Sequence, residues 1–126
     1  MVKSAAELLR EANAAVEQVS ADEARSLVGN GDVQFVDVRS AEELAAEGKI
    51  PGAVHAPRER LEFYADPQSP THKPELASGK RLVVYCASGA RSALAAKTLK
   101  DMGIGRAANL LGGFKAWREG GGATER

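Results

Sequence analysis

The only cysteine in the sequence, Cys86, ends an apolar run and directly precedes a segment of small residues. Residues 82–85 are β-branched, aliphatic or aromatic, which is typical of a buried strand. Helical spacing of apolar residues follows at once, so a short loop joins this strand to a helix. Such a loop directs backbone N–H groups and the positive end of the helix dipole at one point. A thiol placed there would have its pKa lowered from about 8.5 to roughly 3.5–7.5. The pattern therefore predicts an anion-binding loop with a nucleophilic sulfur at its floor.

Six residues after the cysteine could bind the anion. They are Ala87, Ser88, Gly89, Ala90, Arg91 and Ser92. Their backbone N–H groups would stabilise negative charge on sulfur as an oxyanion hole does on oxygen. Their small side chains leave these donors accessible, and Gly89 gives the turn freedom in φ. A lone cysteine is also commonly a buried structural residue, so the loop by itself leaves both interpretations open.

Alternating helix and strand patterns place this loop in an α/β domain. Capping patterns at Ser4, Ser20 and Ser40 predict the starts of three helices. Further helices are predicted at residues 58–65, after the loop, and at 114–118. Strands are predicted at residues 16–19, 33–39, 82–85 and 107–111, with a very short one ending at His55. This alternation favours a parallel sheet covered by helices on both faces.

Two charged residues, Asp37 and Arg39, lie near the end of the second predicted strand, where charge is unexpected. They either mark a strand end that reaches solvent or form a partly buried pair of polar anchors. Glu43 lies four residues after Arg39, and we expect these two side chains to pair. Asp37 and Arg39 are therefore interpreted as supports of the site.

Composition limits the classes of function. The 126 residues suffice for one domain with a real core. The chain has 17 basic and 17 acidic residues, which gives no field for nucleic acid. One cysteine excludes an internal disulfide and a cysteine-rich metal site, so we expect neither a metal nor a cofactor. Charges interrupt the N-terminal segment and no apolar run approaches membrane-spanning length, so we expect a cytoplasmic protein with no membrane contact.

Four motifs occur in the order found in one known family. Residues 86–92 read Cys-x-x-Gly-x-Arg-Ser, which resembles the active-site loop of the rhodanese family of sulfurtransferases. Residues 36–39 with Glu43 resemble the family's strand-end Asp and Arg with their partner Glu. Residues 48–55 resemble its first signature, with Lys49 in place of the usual His, and residues 110–117 resemble its closing signature. The resemblance extends over nearly the whole chain.

The resemblance implies a five-stranded, mainly parallel sheet flanked by helices on both faces. It also implies a rhodanese-like domain at residues 16–121. Outside the resemblance, the capping pattern at Ser4 predicts a helical extension at 1–15, and the run of glycines at 120–122 predicts a flexible tail at 122–126. The expected activity is transfer of a sulfane sulfur from a donor such as thiosulfate to cyanide or a thiol, through a persulfide on Cys86. A sulfur-accepting protein could also be the partner.

Several roles stay open within this interpretation. Arg91 either clamps the anionic end of the donor or ties the loop to Asp37. Residues 87–90 lack the basic side chain of some thiosulfate-using relatives, which puts thiosulfate in doubt as the preferred donor. His55 and His72 are interpreted as non-catalytic, because a preformed thiolate needs no base. Trp117 is interpreted as a core residue.

Two other classes of function compete with sulfur transfer. The chain could be a non-catalytic persulfide carrier or binding module that uses the same cysteine. It could also be a cysteine-dependent phosphatase or arsenate reductase, whose related loop has five residues between Cys and Arg. Here only four residues separate Cys86 from Arg91, which argues against a phosphate-sized loop.

Overall fold

Five parallel strands form the centre of the computed structural model, which describes residues 1–126. The strands are β1 (Glu17–Val19), β2 (Val33–Asp37), β3 (Val54–His55), β4 (Arg81–Tyr85) and β5 (Ala107–Leu110). Their order in the sheet is β1-β5-β4-β2-β3, and every neighbouring pair is parallel. The predicted five-stranded parallel sheet is confirmed, and the strand that leads into Cys86 is the central one.

Six α-helices surround the sheet. They are α1 (Ala5–Ala15), α2 (Ala21–Arg25), α3 (Ala41–Glu47), α4 (Leu61–Ala65), α5 (Ala90–Asp101) and α6 (Gly113–Glu119), with 3₁₀ turns at Arg58–Arg60 and Pro74–Ala77. The hydroxyls of Ser4, Ser20 and Ser40 accept from backbone N–H groups three residues on, as the capping patterns predict. Only Ser40 forms the full capping box, because only there does the carboxylate three residues on, that of Glu43, accept a hydrogen bond from the N–H of the cap residue.

The core lies in two layers, one on each face of the sheet. Alternate residues of β4 contribute to opposite layers, as expected for a strand covered on both faces. Leu82 and Val84 pack in a layer with residues of α4 and α5, and this layer includes Cys86. Val83 and Tyr85 pack in the other layer with Phe114 and Trp117 of α6. Trp117 is only 1% exposed, so its interpretation as a core residue is confirmed.

Both termini contact the rest of the fold. The N-terminal helix α1 packs along α5, and the ammonium of Lys100 donates to the carbonyl of Ala15 at 2.6 Å. Residues 122–126, which the glycines at 120–122 predict to be a flexible tail, make defined contacts in the structure. Lys49 and Glu125 exchange two backbone hydrogen bonds of 2.8 and 2.9 Å, and the indole of Trp117 donates to Ala123.

The parallel topology brings the functional candidates to one edge of the sheet. The carboxyl ends of parallel strands meet at the same edge, so the segments after β2, β4 and β5 are neighbours. Those segments contain Arg39, Cys86 and Gly113 respectively. None of the helices combines the length and apolar character needed to span a bilayer.

Candidate active site

The sulfur of Cys86 lies at the bottom of the loop between β4 and α5, and the residue is only 1% exposed. The Gly89 N–H donates to Sγ at 3.1 Å, and the Ser92 N–H does so at 3.4 Å. The Ser92 hydroxyl also lies 3.4 Å from Sγ. Burial raises the pKa of the Cys86 thiol, but hydrogen bonds from Ser92, Gly89 and Ser88 outweigh it, so the pKa is lowered overall. The loop therefore favours a thiolate.

Two glycines shape this loop. Gly89 precedes α5 with φ at +107°, a conformation that side chains rarely adopt. Gly113 lies at the start of α6, and a Cβ there would be 2.6 Å from the carbonyl oxygen of Ala87. This close approach lets Phe114 and Lys115 donate their N–H groups to the carbonyls of Cys86 and Ala87. The start of α6 thus fixes the backbone that begins the loop.

The remaining loop residues line the outer part of the bend. Ser88 and Ala90 are exposed and Ala87 is half-buried, so the opening is bordered by small, uncharged side chains. Residues 87–90 contribute no cation. Any anionic donor would therefore meet mainly backbone N–H groups and the guanidinium of Arg91.

Arg91 is bound by a carboxylate of α3. Its two terminal nitrogens donate to the two oxygens of Glu43, each at 2.9 Å. The Arg91 hydrogen bond is the largest cause that lowers the pKa of Glu43 to about 2. The prediction that Glu43 pairs with Arg39 is therefore wrong, and so is the alternative that Arg91 binds Asp37. Glu43 faces α5 from the first turn of α3, whereas Arg39 lies before that helix and points inward.

Asp37 and Arg39 form an ion pair that is completely buried. The guanidinium of Arg39 donates to Asp37 at 2.8 Å and to the carbonyl of Gly48 at 2.7 Å. Its Nη1 contacts Glu47 at 3.2 Å, and its Cζ lies 4.1 Å from the centre of the Phe114 ring. The pair therefore joins β2, the turn before β3 and α6. The interpretation as a strand end that reaches solvent does not hold, because neither side chain is exposed.

The two histidines make backbone contacts away from the sulfur. His55 Nε2 lies 2.7 Å from the carbonyl oxygen of Arg39, and His72 Nδ1 lies 2.9 Å from that of Tyr64. These contacts agree with a structural interpretation of both side chains.

Sequence reasoning missed Asn109, which lies on β5 beside the loop. Its side chain is 2% exposed, and its Oδ1 accepts from the Ser92 hydroxyl at 2.6 Å. The available signal was a single amide in an otherwise apolar strand, since a buried polar group needs a hydrogen-bonding partner. That partner, Ser92, was predicted only as part of the anion-binding loop.

A cleft of about 220 Å³ lies beside the loop. Leu9 and Asn13 of α1 form one wall, and Ser88, Gly89 and Leu111 border the others. The N-terminal helix, to which the sequence assigned no role, thus reaches the candidate site. A larger cleft of about 570 Å³ lies at the opposite edge of the sheet and contains no part of the loop.

Comparison with known proteins identifies relatives of the whole domain. A family model described as the rhodanese-like domain matches residues 20–120. The chain is 37% identical over 91 residues to a sulfurtransferase of Allochromatium vinosum, covering 72% of this chain and 77% of that protein. It is 36% identical over 108 residues to human thiosulfate:glutathione sulfurtransferase, covering 80% and 92% respectively.

One solved structure matches almost the entire chain. It is a Rhodopseudomonas palustris protein of unknown function, named as a possible tyrosine phosphatase, with 45% identity and a TM-score of 0.94. The match covers 99% of this chain and 96% of that one. The family model includes β2 to β5, the Cys86 loop and the start of α6, which together build the candidate site. The chain therefore belongs to the rhodanese-like domain family.

Proposed function

We propose that this protein is a sulfurtransferase that carries a sulfane sulfur as a persulfide on Cys86. The observation that carries the proposal is the set of donors on Sγ, namely the N–H groups of Gly89 and Ser92. They stabilise the attacking thiolate and would equally stabilise the anionic persulfide. The sulfurtransferase relatives, each more than 35% identical, support the same chemistry.

The reaction has two displacements at sulfur. The Cys86 thiolate attacks the outer sulfur of a donor such as thiosulfate, and the donor's S–S bond breaks. Sulfite then leaves with the bonding electron pair, and Cys86 becomes a persulfide. Cyanide or a thiolate attacks the outer sulfur, which returns the electron pair to Sγ and yields thiocyanate or a new persulfide. Neither histidine contacts the sulfur, and the lowered pKa of the Cys86 thiol reduces the need for a general base.

The loop also supports an order of preference among donors. Arg91 offers the only cationic side chain of residues 86–92, and Glu43 neutralises it through both terminal nitrogens. A dianion such as thiosulfate therefore gains little from side-chain charge. We expect a low-molecular-weight persulfide to be a better donor than thiosulfate.

Mass spectrometry of the intact protein tests the persulfide. Protein treated with thiosulfate or glutathione persulfide and then desalted should gain the mass of one sulfur atom. Cyanide should remove that atom and release thiocyanate. Cys86→Ser is the matched control and should gain nothing. A loaded protein that releases no sulfur to cyanide or to any thiol would instead be a carrier, and an unchanged mass would contradict the proposal.

Phosphate ester hydrolysis is a second candidate, because the sequence offers it as an alternative and the Rhodopseudomonas palustris protein is named as a possible tyrosine phosphatase. The length of the loop argues against a phosphatase here, since four residues rather than five separate Cys86 from Arg91. An aryl phosphate assay decides between the two. We expect no Cys86-dependent hydrolysis, whereas turnover that is lost in Cys86→Ser would favour the phosphatase.

A further inference from the structure

The hydroxyl of Ser92 has one proton and two neighbouring acceptors. Asn109 Oδ1 lies 2.6 Å from Oγ, and Cys86 Sγ lies 3.4 Å from it. The three residues are each at most 2% exposed. A separation of 2.6 Å is short even for an O–H···O bond, which places the proton on the side of Asn109. The lone pairs of Oγ then face the sulfur.

A chain of side-chain amides determines the orientation of Asn109. Its Nδ2 donates to Gln18 Oε1 at 3.0 Å, and Gln18 Nε2 donates to Asn13 Oδ1 at 3.0 Å. If the amide of Asn109 were reversed, its NH₂ would face the Ser92 hydroxyl, and its carbonyl would face that of Gln18. With the amides in this arrangement, the chain directs Oδ1 of Asn109 at Ser92 and its Nδ2 at Gln18. It extends from α1 through β1 and β5 to the start of α5.

We propose that Asn109 is a positioning residue that keeps the Ser92 proton away from Cys86 and thereby preserves the nucleophilicity of the thiolate. The neutral thiol can donate S–H to Oγ while Ser92 donates to Asn109. After ionisation, the Ser92 hydroxyl can donate to the sulfur only by giving up its bond to Asn109. The consequence of this competition for catalysis depends on the proposed sulfur transfer, whereas its effect on the pKa of the thiol does not.

The competition matters because thiolate stability and reactivity oppose each other. A hydrogen bond to a thiolate lowers the thiol pKa, and nucleophilicity falls as the pKa falls, with a Brønsted coefficient of about 0.4–0.5. The backbone donors already favour ionisation. An additional hydroxyl donor would therefore lower the reactivity of a thiolate that is already formed. Arg91 on α5 is the charged group that interacts with Sγ, and Glu43 of α3 pairs with it.

The test is the pH dependence of alkylation of Cys86 by iodoacetamide, which is independent of sulfur transfer. Asn109→Leu frees the Ser92 hydroxyl, so the pKa of the thiol should fall by about one unit, a shift of the size of one charge-assisted hydrogen bond. The limiting alkylation rate at high pH should fall about threefold. Ser92→Ala should not raise the pKa, because in the wild type this hydroxyl donates to Asn109 and not to the sulfur; a raised pKa in this variant would overturn the proposal. In the Ser92→Ala background, Asn109→Leu should leave the pKa unchanged.

A second variant covers the case in which Asn109→Leu fails to fold. Gln18→Met removes the amide that orients Asn109, and Gln18 is only half-buried on an edge strand. It should lower the pKa in the same direction by a smaller amount. Glu17→Gln on the same strand is the matched control and should change nothing, because Glu17 pairs with Arg81 outside the amide chain.

The outcomes separate this inference from the proposed function. An unchanged or raised pKa in folded Asn109→Leu or Gln18→Met would overturn the positioning role. An equal downward shift in the Ser92→Ala background would also overturn it, since the effect would not pass through Ser92. If the predicted pKa changes occur but no variant, nor the wild type, transfers sulfur, the positioning role stands and the sulfurtransferase proposal fails.

Discussion

At the scale of single residues, the properties of the site depend on the partners that Cys86 and Arg91 already have within the protein. The thiolate of Cys86 is supported by backbone donors, whereas the guanidinium of Arg91 is bound at both terminal nitrogens by Glu43. Both side chains of this ion pair are partly exposed, so its contribution to stability is modest. We interpret Arg91 as a brace between α5 and α3 rather than as a clamp for the donor.

Replacing Arg91 distinguishes a bracing role in the loop from a direct role in binding the donor. If Arg91 is a brace, Arg91→Ala should reduce kcat/KM by a similar factor for thiosulfate and for glutathione persulfide, because the loop loses its support. A clamp would instead impair thiosulfate selectively. The free energy of unfolding should fall by less than about 1 kcal/mol. Glu43→Gln is the matched control and should have the same effect, and the double variant should lose less than the sum.

A cation introduced into the loop should change the preference among donors. Ser88 is exposed at the rim, so Ser88→Lys adds a positive charge without disturbing the core. We expect kcat/KM for thiosulfate to rise about fivefold, which corresponds to ~1 kcal/mol from an exposed charge pair. The rise should weaken with added salt. Ser88→Gln adds length without charge and should leave the kinetics unchanged; an equal rise in that variant would contradict a charge effect.

At the scale of elements, the Cys86 loop takes its shape from a distant segment. The first turn of α6 donates two backbone N–H groups to the carbonyls of Cys86 and Ala87. This contact is close enough that only glycine fits at position 113. The closing signature thus acts on the site through backbone contact, and no side chain of α6 is needed for it.

A methyl group at position 113 should disturb both stability and reactivity. In Gly113→Ala the new Cβ would meet the Ala87 and Cys86 carbonyls at 2.6–2.7 Å, and the residue has φ at +62°. We expect unfolding to become easier by about 1–3 kcal/mol and the thiol pKa to rise. Gly103→Ala is the matched control, because φ is +93° there but nothing lies within 4 Å of its Cβ. It should lower the melting temperature less and leave the thiol pKa unchanged.

The sequence predicts the elements better than the contacts between them. Capping serines and short apolar runs are local signals, and the helices and strands they predict are present. The partner of Glu43 could not be predicted from spacing, because Arg39 precedes the helix and turns into the core. The role of Asn109 depends on Ser92, which is 17 residues away in sequence. The pairing of Glu125 with Lys49 likewise depends on a partner far along the chain.

At the scale of the whole molecule, ionisation of Cys86 is linked to folding. The pKa of this thiol is lowered in the folded protein, so the unfolded chain binds its proton more tightly. The free energy of unfolding should therefore rise as the pH rises from the folded pKa toward about 8.5, the value of an unfolded cysteine. This contribution is fully present above about pH 8.5 and is lost as the pH falls through the folded pKa.

Urea unfolding at a series of pH values measures this linkage. The wild-type protein should gain stability relative to Cys86→Ser over the interval below about pH 8.5, because serine does not ionise there. Tyr85, whose pKa is raised by burial, contributes equally to both proteins and cancels in the difference. Parallel stability curves for the two proteins would show that the folded loop does not favour the thiolate.

The sulfur of Cys86 belongs to the same packed layer as Val84, Ala95 and Leu99. The nucleophile is therefore not carried on a separate mobile element that could be lost while the rest of the protein survives. On heating, the activity of the site and the packing of the core should be lost in a single transition, with the same midpoint and the same rate. The protein would have no heat-inactivated folded form, and residual activity after a heat pulse would count the molecules that are still folded or have refolded.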